Sequence, residues 1–387
     1  MPDHLSDEIE IGRIVRVPLS GRKVRGWVVQ VDEAPKRRLK EIAGISGDCA
    51  VFDEGLLESL RWAAHHYVAP VSVLLSRAAP PNLPRRSAQT RPGVIAPDDG
   101  GGGPIGEIAE AVGRGRRLPT QVIVGRWQSL DWLLSLGPVL ARGTSVLIVA
   151  ASAAEVEHIV SQAENAFGDH LVSVAGQDDA SLTSAWVRSQ VGGVLVVGTP
   201  RTATWRIGHL GMVIVLEEAR RAMKDRQTPT LHVRDVVRSR SLLEGITAIF
   251  FGPTPSVEVL STGAETRRMG TRAWPLVEVI DRSNEGPGSG MLDSRVIKAI
   301  IATSERHLPT FVLGSVATVE RLGQELDHKV GSHGIDSSLV NVGTERDLAG
   351  LVAMGLVVAS NPDGTLLSRG YRTSEEVLRV LARLANS

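Results

Sequence analysis

From Gln121 to Phe251 the chain alternates short apolar runs with helix-length stretches, and this alternation restricts its fold more than any other feature. The runs are Gln121–Val124, Ser145–Ala150, Leu171–Val174, Gly193–Val197, Met212–Leu216 and Ile246–Phe251. They are rich in β-branched residues and apolar along most of their length rather than at every second position. That pattern fits strands covered on both faces. Stretches such as Leu130–Ala141 and Ala154–Phe167 lie between them and predict helices. Strand–helix alternation of this kind predicts an α/β fold with a doubly wound parallel sheet. At roughly 150 residues per domain, a chain of 387 residues has room for more than this one sheet.

The flanking regions have other textures. In residues 1–84, Arg13–Val17 and Gly26–Val31 read as strands around the turn Pro18-Leu19-Ser20-Gly21. Asp53-Glu54 then opens an amphipathic helix through Leu56, Leu57, Leu60, Ala63 and Ala64, and Pro80-Pro81-Asn82-Leu83-Pro84 closes the unit. Residues 85–116 carry Pro92, Pro97, Asp98-Asp99, Gly100–Gly103, Arg114 and Arg116 and predict a flexible linker. A shorter α/β passage runs from about Asp293 to Ser387, behind the break Asn284–Gly290. The expected division is therefore a small β-rich domain at 1–84, a linker at 85–116, and α/β units at 117–282 and 291–387.

Several classes are excluded at once. Lys+Arg and Asp+Glu number 43 each, so the chain as a whole carries no charge that would argue for nucleic acid or membrane. The one cysteine, Cys49, rules out a disulfide framework and any multi-cysteine zinc or iron–sulfur site. No apolar run approaches the ~18 residues of a membrane span, and Met1-Pro2-Asp3-His4 has none of the marks of a signal peptide. A cytoplasmic protein is the expectation.

Charge becomes informative locally. Between residues 11 and 40, nine basic side chains (Arg13, Arg16, Arg22, Lys23, Arg25, Lys36, Arg37, Arg38 and Lys40) face only Asp32 and Glu33, a balance of +7. A solvated face is the bland explanation. Such density around strand turns points to an anion or nucleic-acid surface instead.

These residues also carry a resemblance. Val15-Arg16-Val17-Pro18, Gly21-Arg22-Lys23-Val24, Gly26, Leu39-Lys40-Glu41-Ile42, Trp62-Ala63-Ala64-His65-His66-Tyr67, Pro70, Leu74 and Ala79-Pro80-Pro81 resemble the start of the primosomal protein N′ (PriA) family of replication-restart helicases. Further on, Val196-Val197-Gly198-Thr199 resembles that family's strand-end GT motif, Leu231–Asp235 its segment after the Walker B strand, and Thr254-Pro255-Ser256 the end of its motif III. The resemblance implies a RecA-like helicase core behind a domain that binds forked or single-stranded DNA. It implies DNA contacts through Arg16, Arg22, Lys23, Arg25, Lys40, Thr199 and Arg201, and primosome and single-strand-binding proteins as partners in a cytoplasmic, nucleoid setting.

The departures from the family pattern are equally specific. A P-loop needs glycines whose backbone N–H groups cradle phosphates, and a lysine to neutralise them. Here strand Gln121–Val124 leads into Gly125-Arg126-Trp127-Gln128-Ser129, with Gln128 at the lysine position and Trp127 at the preceding glycine. After the Met212–Val215 strand stands Leu216-Glu217-Glu218-Ala219, where the family has Asp-Glu-Glu-His to hold Mg²⁺. Glu217 and Glu218 then read as a solvated helix start, Arg126 as a residual attractor for an anion. The family's zinc-binding cysteines have no counterpart. In the last α/β unit Pro309–Gly314 resembles the first strand of the second helicase lobe, and Gly364–Glu376 the approach to the arginine-bearing motif VI. The expectation is a member truncated at both ends, similar to the actinobacterial branch with degenerate helicase motifs, that binds no ATP, Mg²⁺ or zinc and has no catalytic residues. At the N-terminus, Pro2-Asp3-His4-Leu5 stands just after the point where the family's first strand lies. A weakly active ATPase using Arg126 and Ser129, and a protein-binding scaffold, are the alternatives.

Other constellations carry less. His65-His66 are adjacent on a helix and diverge, which disfavours joint metal binding. Trp62 and Tyr67, at helical spacing, are expected in the core. No G-x-S-x-G elbow stands at a strand–helix turn.

Overall fold

The computed structural model describes residues 9–31, 40–84, 103–176, 178–270, 275–286, 290–332, 336–351, 353–368, 370 and 372–386. Pro2–Leu5, the acidic pair Asp32-Glu33 and the cations Lys36, Arg37 and Arg38 fall outside them, as do linker residues 85–102. By internal contacts the chain divides into two units, Met1–Met269 and Gly270–Ser387.

The first unit begins with a hairpin. β1 (Ile14–Leu19) and β2 (Arg22–Trp27) pair antiparallel around Ser20 and Gly21, both of which have positive φ (47° and 79°). A two-residue loop with that handedness matches the twist of the strands it joins. β3 (Gly44–Ser46) pairs on the other side of β1, giving the order β2-β1-β3. α1 (Glu54–His66) starts where the Asp53 carboxylate accepts the Leu56 N–H at 3.0 Å, and buries Leu56, Leu57, Leu60, Ala63 and Ala64. α2 (Val71–Ala78) follows Pro70.

α3 (Pro104–Gly113) corrects the expected linker. Proline at its first position and Ile105, Ile108, Ala109 and Val112 at 3–4-residue spacing give an apolar stripe that buries itself. The glycine run ahead of it and the arginines behind it hid a short periodic segment.

Beyond it lies a seven-stranded sheet, parallel in every pair: β4 (Gln121–Val124), β5 (Ser145–Val149), β6 (Leu171–Val174), β7 (Leu195–Gly198), β8 (Leu210–Leu216), β9 (Thr247–Gly252) and β10 (Glu265–Arg268). The order is β10-β4-β9-β8-β5-β7-β6. Alternate residues feed two apolar layers, which is why the runs read as continuously hydrophobic. On one face Ile123, Ile148, Val197, Ile214 and Phe251 pack with α3, with α4 (Gly137–Ala141) and with α5 (Ala153–Phe167). On the other Val122, Leu147, Val196, Val215 and Phe250 pack with α6 (Asp179–Arg188) and α7 (Val233–Leu243). The same layer takes in Leu56, Leu60 and Leu74 of α1 and α2, so the N-terminal residues share a core with the sheet. Each fully buried leucine or valine contributes roughly 1.5–3 kcal/mol. The short α8 (Val257–Leu260) follows β9.

The predicted helix Leu130–Ala141 is corrected as well. Residues Asp131–Leu136 form a 3₁₀ turn, and only Gly137–Ala141 is α-helical. Leu130 has a positive φ of 54°, which interrupts any continuous helix there.

The second unit is a smaller parallel α/β layer. β11 (Thr310–Leu313) lies between β12 (Val340–Gly343) and β13 (Leu356–Ala359). α9 (Ser294–Glu305) and α10 (Val319–Gly331) enclose Ile300, Val312, Leu322 and Leu326. α11 (Pro362–Leu366) and α12 (Thr373–Ala385) complete it, with Leu384 beside Phe311. Among the described residues no helix is long and apolar enough to cross a membrane.

Candidate functional site

The carboxyl ends of β4, β7, β8 and β9 carry Gly125–Ser129, Gly198-Thr199, Glu217-Glu218 and Thr254–Ser256, and they form two different corners. The first corner lies beyond β7 and faces the N-terminal hairpin. Strand period places Lys23 and Arg25 on one face of β2, and register sets Arg16 directly opposite Arg25. Three cations therefore share a face, while Arg22 lies on the other. Directly opposed like charges destabilise a strand pair unless an anion sits between them. Lys40 is exposed, on the far side of residues 32–39 from the hairpin.

After β7, Thr199 caps the 3₁₀ turn Pro200–Thr204, its carbonyl accepting the N–H and hydroxyl of Thr202 at 2.9 and 2.8 Å. Gly198 is required there, since a Cβ would lie 2.4 Å from the Thr202 methyl. Arg25 and Arg201, predicted independently, line one cleft of about 630 Å³, together with Arg77 and Arg226. Thr199 and the remaining predicted cations do not line it.

The N-terminal helices are tied to this corner by polar contacts as well as by the shared core. The Tyr67 hydroxyl donates to Asp235 Oδ2 at 2.6 Å and accepts the His232 N–H at 2.9 Å. The Ser59 hydroxyl donates to Glu244 at 2.8 Å, and Glu244 also receives both a 2.9 Å and a 2.8 Å bond from Arg240. Arg206 donates to the Ala50 carbonyl at 3.1 Å, and Arg77 pairs with Asp225. Burial and the bond to Asp235 push the Tyr67 hydroxyl far above the usual tyrosine range. Burial would raise Asp235, but Tyr67 and Arg234 together hold it below the usual carboxylate range. Burial, reinforced by the Arg234 cation, brings His232 down to about 4, so the neutral ring accepts the Arg234 N–H at the start of α7. Tyr67 is thus half-buried: its ring packs against the core, as expected, while its hydroxyl links the helices. Trp62 departs from the expected core position: it is 37% exposed and stacks on His66 with ring centroids 4.8 Å apart.

The second corner joins the ends of β4 and β8. Gly125 lies so close to Met269 that a Cβ would come within 2.5 Å of its carbonyl oxygen. Trp127–Ser129 form a single 3₁₀ turn, and the first α-helix after it begins only at Gly137. Trp127 is fully buried, and its indole N–H donates to Glu217 Oε1 at 2.8 Å. The Trp127 carbonyl accepts from the indole of Trp132, which meets Phe251 edge-on at 5.5 Å. Glu217 has a positive φ of 49°, and its other oxygen lies 3.8 Å from Arg220, which also pairs with Glu155. Gln128 is half-buried and Ser129 exposed. Burial lowers the pKa of Arg126, whose Nε has no partner among the described residues.

The two glutamates are therefore not a solvated helix start: Glu217 is 4% exposed and Glu218 2%. No α-helix begins beside them. Successive side chains at the strand end diverge, and Glu218 turns away from Trp127. It accepts the Ser256 N–H at 2.7 Å and lies 3.5 Å from Arg234. Arg234 also donates to the Ser256 hydroxyl at 3.2 Å. Burial raises the Glu218 pKa, with Ser256 and Arg234 opposing it. Thr254-Pro255-Ser256 and Leu231–Asp235, matched separately in the sequence, are thus joined through one carboxylate. The bonds from Trp127 to Glu217 and from Tyr67 to Asp235 span 90 and 168 residues and left no local signal. An apolar aromatic at a phosphate-loop position was the only pointer to the first.

Residues 1–80 match the family model of the PriA 3′ DNA-binding domain (3′BD). The chain is 25% identical over 323 residues to the replication restart protein PriA of Treponema pallidum (strain Nichols), a match that takes in 77% of this chain. It spans about half (49%) of the length of that curated relative. Among solved structures, the Escherichia coli DEAH/RHA helicase HrpB is similar over 73% of this chain and 40% of its own, at 14% identity and TM-score 0.44. A DEAD box protein from Methanococcus jannaschii is similar over 73% of this chain and 82% of its own, at 11% identity and TM-score 0.36.

Proposed function

Because the chain belongs to the PriA family, we propose that it is a replication-restart protein that binds forked or single-stranded DNA and helps assemble the primosome without unwinding DNA by ATP hydrolysis. DNA engagement begins at the hairpin, where Arg16, Lys23 and Arg25 share one face and Arg22 and Lys40 extend the charge. The match of residues 1–80 to a 3′ DNA-binding domain supports this reading.

The observation that carries the non-helicase half is the Trp127–Glu217 bond. An indole packed against the strand-end carboxylate occupies the space where phosphates and a metal would lie. No cationic side chain stands at Gln128. A bound nucleotide triphosphate would also need a helix N-terminus aimed at it, and a 3₁₀ turn presents fewer aligned N–H groups. The α/β sheet then serves as a scaffold that holds the DNA-binding residues, and ATP, Mg²⁺ and zinc play no part. Primosome components and single-strand-binding proteins are the expected partners, in the nucleoid.

The test is a titration of the purified chain against a fork with its leading-strand 3′ end at the branch, beside plain duplex, over a salt series. Four to six phosphate contacts predict a log–log slope of roughly −4 to −5, from about −0.9 per contact. Tighter fork binding that weakens in R22A/K23A/K40A supports the reading. Equal affinity for fork and duplex sinks fork recognition, and DNA-stimulated ATP hydrolysis sinks the non-helicase half.

A further inference from the structure

The second unit holds an apolar run that no helix or strand takes up. Residues 275–282 read Pro-Leu-Val-Glu-Val-Ile-Asp-Arg, a composition that suits a strand. None of them lies in a helix or a strand, and none has a positive φ. Leu276 is fully exposed, Val279 is 88% exposed and Val277 68%. Among the described residues, the backbone groups of Leu276–Ile280 take part in no hydrogen bond. Directly after the run the chain is pinned. The Arg282 side chain donates to the Gly290 carbonyl at 2.8 Å and pairs with Glu285, and Glu325 of α10 accepts the Met291 N–H at 2.7 Å. Single exposed apolar side chains are ordinary on a protein surface. Three in a run, bare and with their backbone unpaired, call for a partner.

The same unit carries an edge that such a run fits. β13 pairs with β11 alone, so the other side of its backbone is open. Its four side chains are all apolar and all half-buried. Leu356 and Val358 pack with the α9 and α10 layer, Val357 and Ala359 with the layer of Phe311 and Leu384. A parallel strand that is apolar on both faces is ordinarily an inner strand. By contrast β10, an edge of the large sheet, carries Glu265, Arg267 and Arg268, and β12 presents exposed Asn341. Charged and polar edges resist the addition of a strand, whereas an apolar edge is a template for it.

We propose that Leu276–Ile280 of one copy of this chain adds as a strand to the open edge of β13 in a second copy, and that two copies exchange these strands reciprocally. Donor and acceptor stand on the same chain, so a two-fold exchange satisfies both and closes. The added strand becomes the new edge, and Glu278 within it discourages any further addition. Burying each exposed apolar side chain removes ~60–120 Å² from water. Three per donor, with the acceptor surface they cover, come to on the order of 1,000 Å² over two exchanges, the least that a specific interface needs.

Sedimentation velocity over a wide range of protein concentration tests it. The chain is expected to pass from one copy to two as concentration rises. V277K/V279K alters only exposed side chains, so it should keep the melting temperature and weaken the dimer at least tenfold. A peptide of residues 275–282 in excess should return the wild type to single copies, and the same peptide with both lysines should not. Hydrogen exchange should slow at 276–280 and at 356–359 together, and only at concentrations where the dimer forms. A single copy at every concentration overturns the proposal. So does a dimer that V277K/V279K leaves intact, which would place the interface elsewhere. Protection of both segments in the single copy overturns it as well, because the run would then close on its own edge.

Discussion

Two corners on the same edge of one parallel sheet have been put to opposite uses. At the ends of β4 and β8, Trp127, Glu217, Arg220 and Glu155 are buried and turn polar atoms towards one another. Beyond β7, Arg25, Arg201 and Arg226 turn theirs towards an open cleft. Glu218 separates the two: it adjoins Glu217 in sequence, yet bonds to Ser256 and Arg234 on the side of the N-terminal helices. A strand end of this fold can thus be filled from within or left open, depending on whether neighbouring side chains satisfy each other.

This contrast predicts that changes at the closed corner alter stability and changes at the open corner alter binding. The largest effect is expected from W127A. Removing a fully buried indole leaves a cavity and takes a hydrogen bond from the buried Glu217 carboxylate, at a cost of roughly 3–5 kcal/mol by urea denaturation. Equilibrium dialysis should find no gain in ATP affinity, and a gain would mean that the corner is merely blocked rather than rebuilt.

Acidification comes next. The folded pKa of His232 lies at about 4 against 6.5 for the free side chain, so the unfolded chain takes up the proton first. The stability that His232 contributes as a neutral ring is therefore lost as pH falls through the window from about 6.5 to 4, by roughly 2–3 kcal/mol. Denaturation midpoints across that range should flatten in H232N, whose side chain can still cap α7. An equally steep profile in H232N would assign the loss to other groups.

Y67F, which removes the hydroxyl between Asp235 and the His232 N–H, should cost about 1–2 kcal/mol. Local hydrogen exchange at α1 and α7 should rise together, since these elements pack on one another, and exchange confined to one of them would break the claim that they form a single surface. Smallest of all, R25A/R201A/R226A should shift stability by no more than about 0.5 kcal/mol, because exposed side chains away from packing rarely do more. A thermal melt checks this, and a large shift would turn the cleft into a structural feature.

Much of the fold was legible. The six apolar runs became β4 to β9 within one or two residues, because strands sandwiched between two layers must be apolar on both faces. Helix α1 followed from Asp53 and its apolar spacing. The stretch Leu130–Ala141 failed as one α-helix: Leu130 has a left-handed backbone, Asp131–Leu136 wind as a 3₁₀ turn, and Pro138, which has no N–H to donate, stands in the first turn of the short α4. The linker reading failed at Pro104–Gly113 because ten residues of periodicity were outweighed by the glycines before them. At the site, Arg25 and Arg201 were each visible from charge and motif position, but their meeting was not. Arg226 and Arg77 stood in no motif. Glu217 and Glu218 looked exposed because adjacent acids usually are.

Sequence alone therefore determined the parallel α/β class, the strand positions and the basic hairpin. All of these are local properties, written in periodicity or in single residues. Tertiary structure decided what Trp127 does, where the two glutamates point, that the N-terminal helices share the core of the sheet, and which arginines meet. Those depend on contacts between residues apart in sequence, 38 positions for Glu218 and Ser256, 90 for Trp127 and Glu217, and 185 for Ser59 and Glu244. Only folding brings such partners within the 3 Å or so at which a hydrogen bond forms.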